Sequence, residues 1–372
     1  MYFNTQQDII TKISNCLQKI LILRKKVVEI LSGIVIGIIL AKSTTVSDIA
    51  ENLNENFCEG TEESKKKKIK RFLNRNITDD MYFFFIEDVL KRFKAEDNKV
   101  VIIMDHTSCE DRFIVLNFML SIGKRGIPLY YKVYDYNDPK NKSMEDVKEG
   151  IRIVKELLEP YRYDVTILAD RGFASINLFE YINQLGWKYY IRTKGGTKVH
   201  IEKDEVIGKL QEIEHPRRHT RFFYDVELTS NRYKCNIASK PSGKTEEDTW
   251  YIVTNSEPKK AIINYKRRFT IEEMFRDMKS NGFGMEKNWT NKLQYFKNIM
   301  LCLSIAYVYI ITVGSECTRN GRNHELGAFA KTKRANKTRV YSIFRIGMKW
   351  FRRCYFSKVN RTLMCNFLLY DL

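Results

Sequence analysis

Two aspartates each close a run of apolar residues. In "KVVIIMDHT" Asp105 follows Val100–Met104, and in "DVTILADRGF" Asp170 follows a run of the same texture. A buried strand tolerates a carboxylate poorly, whereas an acid just past its end sits at the sheet rim, where open α/β sheets bind ligands. If the two strands are neighbours, the carboxylates converge, and converging carboxylates repel unless a cation lies between them. A hard divalent ion, Mg2+ or Mn2+, suits such an all-oxygen site. Either aspartate alone reads as a turn or cap residue; the pair is what points to a metal.

A third acid is offered by "YKRRFTIEEMFRDMKS" (265–280), which holds five basic and three acidic side chains. On a helical wheel at ~100° per residue, with Tyr265 at 0°, Arg268, Glu272 and Lys279 fall within roughly 60° of it, and Arg276 lies close by. Ile271, Met274, Phe275 and Met278 form the adjoining apolar stripe. Glu272 is therefore placed beside the core, while Glu273 and Asp277 are expected to face solvent. The cations on Glu272's face are suited to holding phosphates beside a metal. The plainer alternative is a surface helix tied by pairs such as Glu272–Arg276, although Glu273–Asp277 would be repulsive.

The elements that must position these acids follow from texture. Residues 1–95 read as helices, with a long apolar one near 27–42 and a short one in "STTVSDIAENL" that Ser47 can cap. "SKKKKIKRFLNRN" (64–76) reads as a helix with Ile69, Phe72 and Leu73 on one side. Lys66, Lys67, Lys70 and Arg71 belong to its dense basic face. Together they suggest a small DNA-binding module, the bland alternative being a solvated charge run. From 99 the order is strand, strand, strand, helix, strand, helix, strand, with a Gly-Lys-Arg-Gly turn between the second and third strands and Ser143 as a helix cap. That order predicts an α/β fold: a mixed sheet with helices on its faces. About 195–255 alternates as a β-rich insertion, and helices then resume to the C-terminus. The expected division is 1–95 helical, 96–194 and 257–316 the two parts of the α/β domain, 195–256 the insertion and 317–372 a basic helical region.

The chain has 372 residues and a net charge of +19, a field suited to nucleic acid or another polyanion. Its eight cysteines include no CxxC pair, so neither a zinc ribbon nor a redox pair is signalled, and a reducing cytosol is expected. The opening residues lack the pattern of a signal peptide. "VVEILSGIVIGIILA" (27–41) is too short to span a bilayer, and "FKNIMLCLSIAYVYIITVG" (296–314) is read as a core helix, so no membrane partner is expected. His215 and His219 stand four apart, but Pro216 and the lack of further ligands argue against zinc. Residues 319–361 hold thirteen Lys/Arg against one acid, Glu325, with aromatics interleaved, as a DNA-backbone surface or a tail helix would.

Tyr265, Arg268, Glu272 and Lys279 also stand at the spacing Tyr-x2-Arg-x3-Glu-x6-Lys. This resembles the closing signature of the DDE transposases of bacterial insertion sequences, specifically the insertion sequence 4 group. "IIMDHT" and "ILADRGF" resemble the blocks carrying the family's two catalytic aspartates. The resemblance implies a ribonuclease H-like catalytic domain interrupted by a β-rich insertion. It implies that Asp105, Asp170 and Glu272 bind two Mg2+ ions (or Mn2+), that Arg268 and Lys279 hold DNA phosphates, and that Tyr265 packs at the transposon end. It implies DNA partners, terminal inverted repeats and target, a homodimer in the synaptic complex, and a bacterial cytoplasmic, nucleoid-associated location. Trp250 is a candidate platform for a flipped base. One departure is His106, which stands where the family often has a second acid. Two rival functions share these motifs: a catalytically inactive, domesticated DNA-binding relative, and a ribonuclease H-like nuclease without strand transfer. A third, motivated by the two apolar stretches, is a membrane-associated basic protein.

Overall fold

The computed structural model describes residues 5–53, 57, 61–78, 80–93, 95–138, 142–201, 206–215, 219–241, 249–327, 329–331, 337–339 and 341–356. The chain begins as helices α1 (Thr5–Ile20), α2 (Lys25–Ala41), α3 (Val46–Glu51), α4 (Glu62–Leu73) and α5 (Asp80–Leu90). Helix α2 buries every residue from Leu31 to Leu40, as a helix apolar all round must. Thr45, not Ser47, caps α3, its side chain accepting from the Asp48 amide. A threonine one residue before the first helical turn can reach that amide, whereas Ser47 already lies inside the helix.

The basic run forms α4, with Ile69, Phe72 and Leu73 buried. Its lysines divide into two sets. Lys65 and Lys68 turn back to donate to the carbonyls of Leu53 (2.5 Å) and Phe57 (2.6 Å). Lys67, Lys70 and Arg71 are exposed, and Lys66 pairs with Glu62 one turn earlier.

One ten-stranded sheet forms the centre. Its strands are β1 (Lys99–Cys109), β2 (Phe113–Ile122), β3 (Arg125–Asp135), β4 (Asp164–Ala169), β5 (Lys188–Thr193), β6 (Lys198–Ile201), β7 (Val206–Lys209), β8 (Arg221–Leu228), β9 (Tyr233–Lys240) and β10 (Trp250–Thr254). The spatial order is β3-β2-β1-β4-β5-β10-β9-β8-β6-β7. Only β1–β4 and β4–β5 are parallel; every other pairing is antiparallel. Every residue of β2 is buried, so both sheet faces are covered there. Helices α6 (Met144–Leu158), capped by Ser143, and α7 (Ile176–Gln184), capped by Ser175, provide the crossovers around β4. The strands of 195–256 do not stand apart: β10 pairs with β5, and β6–β9 continue the same sheet.

After the sheet come α8 (Ala261–Lys266), α9 (Phe269–Met278), α10 (Leu293–Arg319), a short hairpin β11 (Phe329–Lys331) and β12 (Lys337–Arg339), and α11 (Ile343–Phe356). Helix α10 is long and apolar enough to cross a bilayer, yet 94% of its most apolar window is buried inside the protein. It runs through the expected boundary at 316/317, because α11 packs directly along it. The approach is close at two glycines. A Cβ on Gly314 would stand 2.1 Å from the Ile343 carbonyl oxygen, and one on Gly347 would stand 2.1 Å from that of Ile310. Only glycine lets the two backbones come so near. The six described cysteines are free thiols.

Candidate active site

The site begins in the register of β1 and β4. Met104 pairs with Ala169 across the parallel ladder, so Asp105 and Asp170 are the next residues on adjacent strands. Neighbouring strands lie about 4.8 Å apart, which brings the two carboxylates to one rim. Asp105 does not end its strand, however. The ladder to β4 stops at Met104, while pairing with β2 continues through Asp105↔Asn117 to Cys109. The antiparallel hairpin outruns the parallel ladder, and a sequence pattern shows only where the apolar run stops.

Glu272 arrives on α9, which packs across β1, β2 and β3. Arg268, at the N-terminus of that helix, joins the acids. Its Nη1 donates to Asp105 Oδ2 at 3.1 Å and its Nη2 to Glu272 Oε1 at 2.5 Å. The Tyr265 hydroxyl donates to Asp170 Oδ1 at 3.1 Å. Three acids from three elements are thus gathered about one arginine and one tyrosine. The Arg268 side chain is only 9% exposed, and its guanidinium lies over the Tyr265 and Phe269 rings.

The electrostatics follow from that crowding. Burial raises the pKa of Asp105 to about 6, against the pull of Arg268 and of the His106 backbone N–H, which donates to Asp105 Oδ1 at 2.8 Å. The charges of Asp170 and Glu272 raise it further. Burial also holds the Tyr265 phenol protonated, well above its ordinary range. His106 is pushed down to about 4 by burial and stacks on Phe173 at 4.9 Å, so it is neutral and no substitute for an acid.

The donor set is all oxygen and carries the charge a hard divalent cation requires. As the side chains stand, no three His, Cys, Asp or Glu among the described residues are grouped closely enough to hold one ion. The Arg268 guanidinium lies between Asp105 and Glu272 and supplies the positive charge there.

Several expectations from the sequence are corrected. Residues 265–280 are not one helix. Tyr265 belongs to α8, and i→i+3 bonds at Arg267, Arg268, Thr270 and Ile271 tighten the junction with α9. Each 3₁₀ step turns ~20° more than an α step, so the wheel loses phase there. Asp277 does not face solvent. Its side chain is 9% exposed and faces the Arg125 guanidinium at 3.1 Å, and burial raises its pKa to about 6. Glu273 is half-buried and pairs with Arg125 (3.3 Å) and Arg276 (2.7 Å). The β2–β3 turn delivers Arg125 from far along the chain, which a wheel cannot foresee. Arg276 is consequently tied to Glu273 and does not join Glu272. Lys279 lies past the end of α9, out of helical conformation, and pairs with Glu286 at 3.2 Å.

Two neighbours escaped the sequence reading. Arg192 on β5 lies within electrostatic range of Tyr265, and an arginine inside the apolar "YYIRT" run is a signal that could have been followed. Phe269 forms an aromatic wall with Trp250, which stands 5.3 Å from Tyr265, edge to face, and 5.8 Å from Phe269. His215 donates to or accepts from Ser239 at 2.6 Å; residues 216–218 lie outside the described residues. So do 332–336, 340 and 357–372 of the basic tail.

The family model described as "Transposase DDE domain" matches residues 120–309, just over half of the chain. The span contains Asp170 and the whole of 265–280, and Asp105 lies just upstream of it. No curated protein matches. Among solved structures, the piggyBac transposase synaptic complex with hairpin DNA is similar, at 13% identity and a TM-score of 0.46, covering 96% of this chain and 80% of that one.

Proposed function

The chain belongs to the transposase DDE domain family, and from that premise we propose that it cuts the ends of its own insertion element and joins them to target DNA. The observation that carries this is the Arg268 bridge, which draws Asp105 and Glu272 together beside an Asp170 oriented by Tyr265. We place the chain in the insertion sequence 4 group on its Tyr-Arg-Glu-Lys spacing and its catalytic part among ribonuclease H-like folds on the β3-β2-β1-β4-β5 order.

Members of the family generally use divalent metal ions. Asp105, Asp170 and Glu272 would hold two Mg2+ ions, or Mn2+ in their place, and these would supply activation of the attacking hydroxyl and charge stabilisation at the leaving oxygen. The chain's own groups do the rest. Tyr265 fixes the rotamer of Asp170. Arg268 neutralises two carboxylates that would otherwise repel, and keeps them gathered until cation and DNA arrive. Trp250 and Phe269 give the cleft an apolar wall on which a base can pack.

DNA phosphates are assigned to Lys67, Lys70 and Arg71 on the exposed face of α4, within a helical DNA-binding module. Lys66, tied to Glu62, contributes less. Handling two element ends together calls for a homodimer. The test is metal-dependent nicking and strand transfer on DNA bearing the element's inverted repeats. Both activities are expected in the wild type, lost in Glu272→Gln and kept in Glu273→Gln. Nicking without joining would instead identify a nuclease, and binding without nicking an inactive relative.

A further inference from the structure

Trp289 is 81% exposed, the most exposed large apolar side chain among the described residues. A single exposed apolar residue needs no explanation by itself. This one stands on a built pedestal. Asn288, beneath it, is 5% exposed. Its side-chain amide donates to the Thr44 carbonyl at 3.0 Å, and its Oδ1 accepts from the Thr290 amide at 3.1 Å. Arg112, from the β1–β2 turn, donates to the Thr290 carbonyl at 3.0 Å and places its guanidinium over the indole, 5.6 Å from the ring. The backbone on both sides of Trp289 is therefore fixed, and one ring face is left to solvent.

The indole borders a groove of about 470 Å³ between the C-terminal end of α4 and the 287–292 loop. Lys70, Lys287 and Lys292 line it, and all three are exposed. None of the three makes an ion pair among the described residues. An outward, rigidly held aromatic among unpaired cations is the arrangement that receives unpaired bases on a π-face and their phosphates on ammonium groups. A duplex would offer the indole only its stacked, closed side. The pedestal is continuous with the catalytic strand: the Cys109 thiol, at the end of β1, lies 3.7 Å from the Met285 carbonyl. Four steps along the strand separate Cys109 from Asp105, roughly 13 Å.

We propose that this groove binds single-stranded nucleic acid, with Trp289 as the stacking platform and Lys70, Lys287 and Lys292 as phosphate contacts. The proposal rests on the transposase reading for its biological setting, since strand separation near a cut end exposes such a strand, but its test does not.

The test uses the full chain and a short oligothymidylate, followed by fluorescence anisotropy across a salt series, with a duplex of the same length alongside. Trp289→Ala should weaken oligothymidylate binding about tenfold, Trp289→Phe should retain most of it, and duplex affinity should stay within about twofold. Lys287→Ala with Lys292→Ala should lower the slope of log affinity against log salt by about 1.4. Equal oligothymidylate binding by wild type and Trp289→Ala overturns the proposal. So does absence of oligothymidylate binding in the wild type, or a change confined to oligomeric state, which would make the face a contact between copies. Nicking of element-end DNA is measured on the same preparations. Its failure with the stacking effect intact counts against the transposase reading alone, and intact nicking without a stacking effect counts against the groove alone.

Discussion

Arg268 donates to Asp105 at 3.1 Å across 163 positions of sequence, and the same guanidinium reaches Glu272 one helical turn away. The arginine thus stands where Asp105 and Glu272 would otherwise face one another unscreened. Removing it leaves carboxylates without their counter-charge. Arg268→Met should cost about 2–3 kcal/mol of stability in a metal chelator, less than for a fully enclosed pair because the Glu272 side chain is 47% exposed. Added Mg2+ should restore part of that loss in the variant and stabilise the wild type less. Thermal unfolding with and without Mg2+ measures both.

A second arginine acts from behind. Arg125 faces Asp277 at 3.1 Å and Glu273 at 3.3 Å, tying the buried side of α9 to the β2–β3 turn. Arg125→Met strands a buried carboxylate and should destabilise by about 3 kcal/mol. It should also slow cleavage about tenfold, through misplacement of Glu272, with little change in DNA affinity. Equal cleavage rates for the variant and the wild type would show that α9 is positioned without this contact.

Asp277 carries a pH signature. Its folded pKa of about 6 lies above the ~3.9 of an unfolded aspartate, so the folded state holds the proton more tightly. Its proton-linked contribution is full below about pH 4 and is lost as pH rises through 6. The stability difference between wild type and Asp277→Asn should therefore favour the wild type more at pH 4 than at pH 7. Denaturant unfolding at the two pH values reads the difference, and an opposite trend would mean that Asp277 is ionised throughout by Arg125.

The α10–α11 contact predicts intolerance of a single methyl. Gly347→Ala drives a Cβ toward the Ile310 carbonyl oxygen, an atom of the backbone that cannot swing away. The cost should be about 1–3 kcal/mol, visible as a lower melting temperature. An unchanged melting temperature would imply that α11 can slide along α10.

Much of this was legible in the sequence, and what was missed has physical causes. The order of strands and helices from 99 to 193 follows from apolar runs and caps, because those signals are local. Asp170 stands just past its strand as its apolar run implies, whereas Asp105 marks only the end of the ladder to β4 and lies within β1. Their adjacency was not legible, since strand pairing is decided by the whole sheet. Glu272, the acid the wheel selects, is the α9 carboxylate that shares Arg268 with Asp105, although the wheel assumes one helix where a 3₁₀ junction intervenes. Asp277 was misplaced because its partner, Arg125, comes from a hairpin turn about 150 residues earlier. Lys279 was grouped with Glu272 by a periodicity that ends at Met278. The lysines of α4 looked alike as a run, and only the fold shows that Lys65 and Lys68 are spent on the carbonyls of Leu53 and Phe57.

Whether Asp105, Asp170 and Glu272 jointly hold divalent cations is read from Mn2+ binding followed by electron paramagnetic resonance. Tight binding is predicted for the wild type and Glu273→Gln, with strong weakening in Asp105→Asn, Asp170→Asn and Glu272→Gln. Undiminished Mn2+ binding in those three variants would contradict the account.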